Sequence, residues 1–471
     1  MPLITTRIKD FSGGRNTAAS AHDLAPNESP NDLNIDLATV GSVKKRAGIT
    51  RWFPASLGPY PVTSLYRYYK QDRSKYLMAL CGPKLWAISG QPPDALGSII
   101  STDRTINTFM TFATMQDWLW FANYDDDTQR WDGTTIRPAF LYPPIASPLT
   151  AAGWEGTGDD VSLGGDMAAG EYIYTFTAVY GGLGRSNRPA IYSTTSYPIE
   201  PDLLLPWVTF SGFHIATVAN GGYTMDDVYG LVGGLPETPT HVEIWRTTVN
   251  PVYESEREIV NLPFYLIERV PIATLVADPS YGDVKNDLEL QSLYPGDHYY
   301  PPRARYIAEH RNRLFYANTQ ERNDPINPGT EDTNPSRVWF SDLYQPSRIV
   351  GFIDVFPEDG DEITGIVSLH NNLVVFKNQK TYMLLGVSEA DFEIRLANGS
   401  VGCVAPRSIA MLDNVVMFRG MDGRYGFDGG SFQRLTNKIR PDILAMPQEG
   451  LEFASGGSWK GRYYAGEREA T

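Results

Sequence analysis

An all-β fold, a β-propeller interrupted by an inserted immunoglobulin- or fibronectin-like β-sandwich, is what three features of the sequence predict. The strands are rich in aromatic and β-branched residues, one turn-and-strand motif recurs along the chain, and one interval in that recurrence is too long for a single unit. Of the 471 residues 12% are aromatic, with 27 Tyr, while 43 Gly and 34 Pro supply turns. Aromatic strands broken by Gly and Pro are the composition of antiparallel sheets. A chain of this length supports two or three packed cores.

The recurring motif is a polar turn holding Asp or Asn that enters an apolar strand. Its copies are Met115-Gln-Asp-Trp-Leu-Trp-Phe121, His310-Arg-Asn-Arg-Leu-Phe-Tyr316, Leu369-His-Asn-Asn-Leu-Val-Val-Phe376 and Leu412-Asp-Asn-Val-Val-Met-Phe418. Asx residues suit such turns because their side chains bond the nearby backbone and tolerate the left-handed conformation. Partner strands follow, clearest in Asp127-Thr-Gln-Arg-Trp131-Asp132-Gly133 and Arg424-Tyr-Gly-Phe427-Asp428-Gly429. Their shared Asp-Gly step predicts type I′ hairpin turns, which need positive φ. Lys75–Leu80 with Lys84–Ile88 reads as a degenerate copy. From Asn371 to Asn414 the step is about forty residues, the size of a four-stranded propeller blade. Five or six blades are thus expected. Blades cover their faces only with neighbours, so the ring must close. Unrelated hairpins of an ordinary sandwich are the other reading.

The long interval lies between the copies at Asp117 and Asn312. Pro-rich edges, Leu141–Pro148 and Tyr294–Pro302, bound it as linkers. Inside, Tyr172-Ile-Tyr-Thr-Phe-Thr-Ala-Val179 alternates as a half-buried strand does, and Thr240–Arg246 and Phe264–Val270 add strands. The expected organisation is an N-terminal segment (1–60) packing on the propeller or a neighbouring subunit, a first part of the propeller (61–147), the inserted sandwich (148–300) and a second part of the propeller (301–471). The insert should behave as a semi-autonomous unit hung from protease-sensitive linkers.

Charge and residue usage limit the chemistry. Forty basic against 55 acidic residues leave a net charge of −15, which argues against gripping nucleic acid through neutralised phosphates but not against letting it pass. Cys81 and Cys403 are too few and too distant for a disulfide framework or a Cys-based zinc site, and read as buried thiols. The six histidines sit singly, so no metal or cofactor is expected. Asp125-Asp126-Asp127 lacks the spacing of a calcium loop, and both it and Pro357-Glu-Asp-Gly-Asp-Glu362 read as solvated turns. The N-terminus has no apolar core, and no uncharged apolar run approaches the ~20 residues that span a bilayer. A soluble chain made in the host cytoplasm is the expectation.

Several segments, in order, resemble the tail nozzle proteins of short-tailed bacteriophages, also called tail tubular protein B. They are Asp10-Phe-Ser-Gly-Gly-Arg15-Asn-Thr17, Leu24-Ala-Pro-Asn-Glu-Ser-Pro-Asn-Asp-Leu-Asn34 and Gly41-Ser-Val-Lys44-Lys45-Arg46-Ala-Gly48, then Gly184-Arg-Ser-Asn-Arg-Pro189 in the insert and Val338-Trp-Phe-Ser-Asp342 with Gln345-Pro346. The resemblance implies a structural virion protein and no enzyme. Six copies would form the distal ring of a tail, seated on the head-to-tail adaptor, carrying tail fibres or tailspikes and passing double-stranded DNA without tight binding. Arg15 stands where a leucine-like residue is expected, and Lys44-Lys45-Arg46 is a basic cluster without interleaved aromatics, an interface-forming or solvated turn. Arg15, Lys44, Lys45 and Arg46 are therefore the candidate interface residues. The last unit is short of strands, so closure requires the N-terminal segment to complete it. Because propellers also host glycan-active proteins, a carbohydrate-binding or glycan-cleaving propeller of a phage tail or cell surface is the alternative.

Overall fold

The structure is a computed structural model. It describes residues 10–467 apart from 11, 21, 33–34, 38–41, 47, 49–54, 91–94, 107, 140, 142–149, 155–171, 181–184, 186–195, 198–206, 212–239, 249–250, 253–261, 278–279, 284–291, 297 and 322–331. The protein is all-β, built of separate antiparallel sheets. Five four-stranded sheets follow one another in the chain, each with its strands paired in sequence order. Sheet A comprises Val62–Tyr69, Lys75–Cys81, Lys84–Ser89 and Leu96–Ser101. Sheet B comprises Thr111–Met115, Trp118–Ala122, Gln129–Trp131 and Ile136–Pro138. After the long interval come sheet C (Arg303–His310, Arg313–Glu321, Asp332–Asp342, Gln345–Asp354) and sheet D (Ile363–Leu369, Asn372–Lys377, Thr381–Leu385, Glu393–Asn398). Sheet E (Ala410–Leu412, Val415–Gly420, Gly423–Phe427, Phe432–Arg434) precedes a two-stranded hairpin, Ser455–Trp459 with Arg462–Gly466.

The second strands explain why these sheets stack. In Trp118–Ala122, Leu119 and Phe121 pack with Tyr68, Met78 and Leu85 of sheet A, while Trp120 and Ala122 pack with Leu314 and Tyr316 of sheet C. In Arg313–Glu321, Leu314 and Tyr316 meet sheet B, and Phe315 and Ala317 meet Leu373 and Val375 of sheet D. Val374 and Phe376 then meet Val416 and Phe418 of sheet E. A period of two with apolar residues at every position places one apolar row on each face of the strand. Each of sheets B, C and D is therefore covered on both sides.

The repeated motif turns sit between the first and second strands of sheets B to E. Gln116 and Asp117, Arg311 and Asn312, and Asp413 and Asn414 have both central residues at positive φ, the type I′ geometry, and His370 is also at φ 53°. The two Asp-Gly steps are different from what the sequence predicts. They lie between third and fourth strands, and only Gly133 (φ 100°) and Gly429 (φ 98°) are left-handed. The aspartates instead accept two backbone N–H groups each, Asp132 from Thr134 and Thr135 and Asp428 from Gly430 and Ser431, at 2.7–2.8 Å. Side-chain capping builds a wider loop than a two-residue turn. The Lys75/Lys84 hairpin likewise joins second to third strands, through Gly82.

The long interval holds two antiparallel sheets. One has Thr150–Trp154, Trp207–Ser211 and Ser280–Asp283; the other has Ser196–Tyr197, Tyr172–Val179, His241–Arg246 and Tyr265–Pro271. In the second, fully buried Glu243 accepts from Arg269 at 2.6 Å, from Arg185 and from Thr177. This segment is not loosely hung. Ala178 and Tyr180 share a core with Trp120 and Trp339 of sheets B and C. The C-terminal linker is strapped down as well: Tyr299 N–H donates to Ile349 O (2.9 Å), its ring meets Trp339 at 4.9 Å, and Thr128 donates to Pro302 O. Backbone held this way resists proteolysis. The linker residues 142–148 lie outside the described residues.

Two carboxylates of the acidic stretch at 357–362, Asp359 and Asp361, are structural, while Pro357, Glu358 and Gly360 are exposed as a solvated turn would be. Lys377 is fully buried and donates to Asp359 (2.6 Å), Phe356 O (3.0 Å) and Ser336 Oγ (3.1 Å). Asp361 accepts the N–H groups of Asn378 and Gln379, so the connection from sheet C to D is pinned to the turn after Lys377. Burial pushes the Asp359 carboxyl up, but hydrogen bonds from Lys377, Tyr382, the Asp361 N–H and Lys380 outweigh it and bring the pKa down to about 2.

Asp359→Asn strands the Lys377 charge in the interior and is expected to cost about 3–5 kcal/mol, against much less for Lys377→Met, which removes the charge. Denaturant midpoints of the two variants check this. A carboxylate whose folded pKa is depressed stabilises above its unfolded value, and that stability is lost as pH falls through the folded one. Stability should thus decline between about pH 4 and 2, more steeply in the wild type than in D359N, as read by acid titration of the far-UV signal.

Candidate functional site

The first strands of sheets A to E line a cavity of about 560 Å³, to which Tyr66, Phe112, Ile307, Ile366 and Met411 contribute. The first strand of sheet B lies against those of A and C, and that of C also against that of D. At one end, where the chain enters the first strands, the cavity meets a second one of about 580 Å³ that shares Phe109, Tyr306 and Pro406 with it. This mouth is polar and charged.

Two guanidinium groups dominate the mouth. Arg305, on the first strand of sheet C, lies over the Tyr124 ring at 4.6 Å and reaches Glu362 at 3.8 Å. Arg407, in the turn before sheet E, is half-buried between Phe109 (5.2 Å) and Phe453 (5.4 Å). Burial pulls its pKa below the ordinary arginine range, opposed by the nearby charge of Glu452. Tyr306 beside it is pushed up, also by burial. Tyr124 has φ 74°, a conformation rarely adopted by a bulky residue, and it ends the second strand of sheet B so that its ring lines the mouth. Of the Asp125-Asp126-Asp127 run, Asp126 accepts from Thr105 and Asn123, Asp127 pairs with Arg303 at 2.8 Å, and exposed Asp125 lines the mouth. Three neighbouring carboxylates pointing to three places cannot chelate one ion. Among the described residues no group of three or more His, Cys, Asp or Glu side chains is placed to hold a metal.

The sequence-predicted interface residues lie elsewhere, at a seam where the chain's N- and C-terminal parts meet. Arg15 pairs with Asp442 at 3.0 Å. Lys438 binds Glu28 and Gly13 O, and its own carbonyl accepts from Thr17 and Ala18. Lys44 and Lys45 are exposed on a strand paired with Ile35–Asp36, and Asp36 reaches Arg462 of the C-terminal hairpin at 3.1 Å. Arg15 and Arg46 line one cavity of about 820 Å³ together with Trp459 and Tyr464. The structure thus joins two of the four residues in one cavity and ties Arg15 to a partner in its own chain. Arg305, Arg407 and Glu452 went unseen in the sequence, since they come from one strand and two separate turns and carry no motif; Asp125 and Glu362 stood in segments the sequence singles out as solvated turns.

The hairpin itself is locked to sheet E. Glu467 accepts from Arg424 at 2.7 Å and lies 3.4 Å from Arg419, whose side chain is fully buried, while Tyr463 donates to Ser408 O at 2.7 Å. Cys403 nearby is buried, and burial pushes its thiol up to about 12; Cys81 is also buried and free.

No family model matches the chain, and no curated protein matches it. Solved structures overlap it at low scores. The computationally designed Ika8 protein has a TM-score of 0.24 at 9% identity, covering 81% of this chain and 88% of that one. PorZ, a surface component of the type-IX secretion system of Porphyromonas gingivalis, gives 0.29 at 9% identity over 87% of this chain and 36% of PorZ. A protein from Lactobacillus plantarum gives 0.28 at 8% identity over 84% and 87%.

Glu467→Gln removes the carboxylate that offsets two buried arginines and is expected to destabilise the chain by about 3 kcal/mol. Hydrogen exchange should show the loss concentrated in residues 455–466; uniform loss over all sheets would contradict this reading of the seam.

Proposed function

We propose that the chain is a nozzle subunit of a short-tailed phage, a structural virion protein without enzymatic activity. In this reading it is a β-propeller carrying an inserted immunoglobulin- or fibronectin-like sandwich. The observation that carries the reading is an order of parts. Five sheets stack in chain order, the two-sheet segment falls between the second and third of them, and this is the order of the motifs that resemble the nozzle family. The sixth blade would be the C-terminal hairpin completed by the N-terminal strands, as the Arg462–Asp36 contact supports. Among the described residues no helix is long and apolar enough to cross a membrane.

Six copies then form a ring at the distal end of the tail, seated on the adaptor and bearing fibres or tailspikes. Each carries a formal charge of −15, so a strongly basic lumen would require most Lys and Arg to face inward. An acidic or mixed wall releases no condensed counterions, and the duplex slides instead of adhering.

Cryo-electron microscopy of tails containing this chain should show six copies at the distal end; a different symmetry there rejects the assignment. Duplex DNA added to isolated rings at about 150 mM salt should give no saturable, salt-sensitive binding. Retention that weakens steeply with added salt would reject the sliding conduit and leave the ring untouched.

A further inference from the structure

We infer that the charged mouth of the cavity between the first strands binds a small hydroxylated carboxylic acid of the uronic-acid type, with Arg407 holding the carboxylate and Asp125 and Glu452 accepting from hydroxyl groups.

Arg407 starts the case. Its guanidinium is half-buried between Phe109 and Phe453 and makes no hydrogen bond or ion pair to a described residue. Arg424, Arg313 and Arg104, by contrast, each donate to an acceptor: Glu467, Ser341 O and Asp103. Two phenyl faces and the nearby charge of Glu452 offset only part of what desolvation costs this cation, and neither takes up an N–H donor. Planar guanidinium with all its donors unspent is suited to bidentate recognition of a carboxylate.

The rest of the mouth restricts what carries that carboxylate. Asp125 and Glu452 line the same cavity and accept no hydrogen bond from a described residue, so a ligand seated there meets acceptors as well as a cation. Glu362 is taken up by Arg305 and Asn318, so Asp125 and Glu452 are the acceptors left beside Arg407; this disfavours a polyanion and leaves a place for a single carboxylate at Arg407 with hydroxyl donors around it. A volume of about 580 Å³ falls within the range of small-molecule sites and has room for one or two sugar rings. Tyr124, whose ring lies under the Arg305 guanidinium, holds φ 74°, a strained conformation for an aromatic residue that keeps its side chain in the lining of the mouth.

Saturation-transfer difference NMR on the full chain tests this, with D-glucuronate at about 5 mM as the probe, a concentration suited to the weak affinity of a small ligand. Signal is expected from glucuronate and at least five-fold less from D-glucose or from the methyl ester of glucuronate, which lacks the charge without any change to the protein. Arg407→Gln should reduce the glucuronate signal at least five-fold while retaining the far-UV spectrum. If that variant misfolds, the ester comparison decides alone. Equal signals from acid, ester and glucose, no signal from glucuronate, or an undiminished signal in folded R407Q overturns the site. Displacement of glucuronate by equimolar inorganic phosphate or glycine overturns the assignment of the ligand as a hydroxylated acid.

Discussion

A strand that is apolar on both faces cannot exist in a sheet with one open side, and the second strands of sheets B, C and D are of this kind. Each must be bracketed, so the sheets are ordered by necessity: what covers B on one side is A and on the other is C. The requirement passes along the stack until it reaches sheets whose outer faces are closed differently. Sheet A is covered there by a small cluster that includes Leu57, and sheet E by the hairpin locked through Glu467. Hydrophobic burial of this sort is proportional to area and indifferent to direction, so it stacks the sheets but does not set their register.

Direction comes from buried charge and from turn chemistry. Lys377 is satisfied only when the 356–361 connection lies across it, and Glu243 only when Arg185 and Arg269 reach over the same strand. Neither arrangement survives a shift of one residue, because a slip turns every side chain to the opposite face. The type I′ turns at 116–117, 311–312 and 413–414 fix the first two strands of three sheets locally, and the first is also tied to sheet A, Asp117 accepting from Tyr68 and from the Gln71 N–H.

Those local devices were legible in the sequence, and non-local ones were not. The Asx-bearing motif located the first hairpin in four sheets because its cause lies within four residues. The strand over Tyr172–Val179 was legible as a strand, but not as half-buried: Ile173 to Ala178 are buried on both faces, because Thr175 and Thr177 are covered as fully as the apolar residues between them. The acidic run at 357–362 was misread at Asp359 because its meaning there depends on Lys377, whose own segment looks like any buried strand ending. Asp132 and Asp428 were misassigned to two-residue turns because Asp-Gly specifies a left-handed glycine and not the length of the loop around it. The mouth as a site was not legible: Arg305 on a first strand meets Arg407 and Glu452 from two turns far along the chain.

The shared core at the junction of the insert has a mechanical meaning. Ala178 and Tyr180 are gripped between Trp120 and Trp339, and Tyr299 closes the same joint from the other side of the segment. A load applied anywhere on the insert enters the stack there, between sheets B and C. It is borne by interlocked side chains in shear across two sheets, not by hydrogen bonds unzipped one at a time from an edge. The insert is a lever with a fixed fulcrum, and a tug on it is delivered to the wall of the cavity between the first strands.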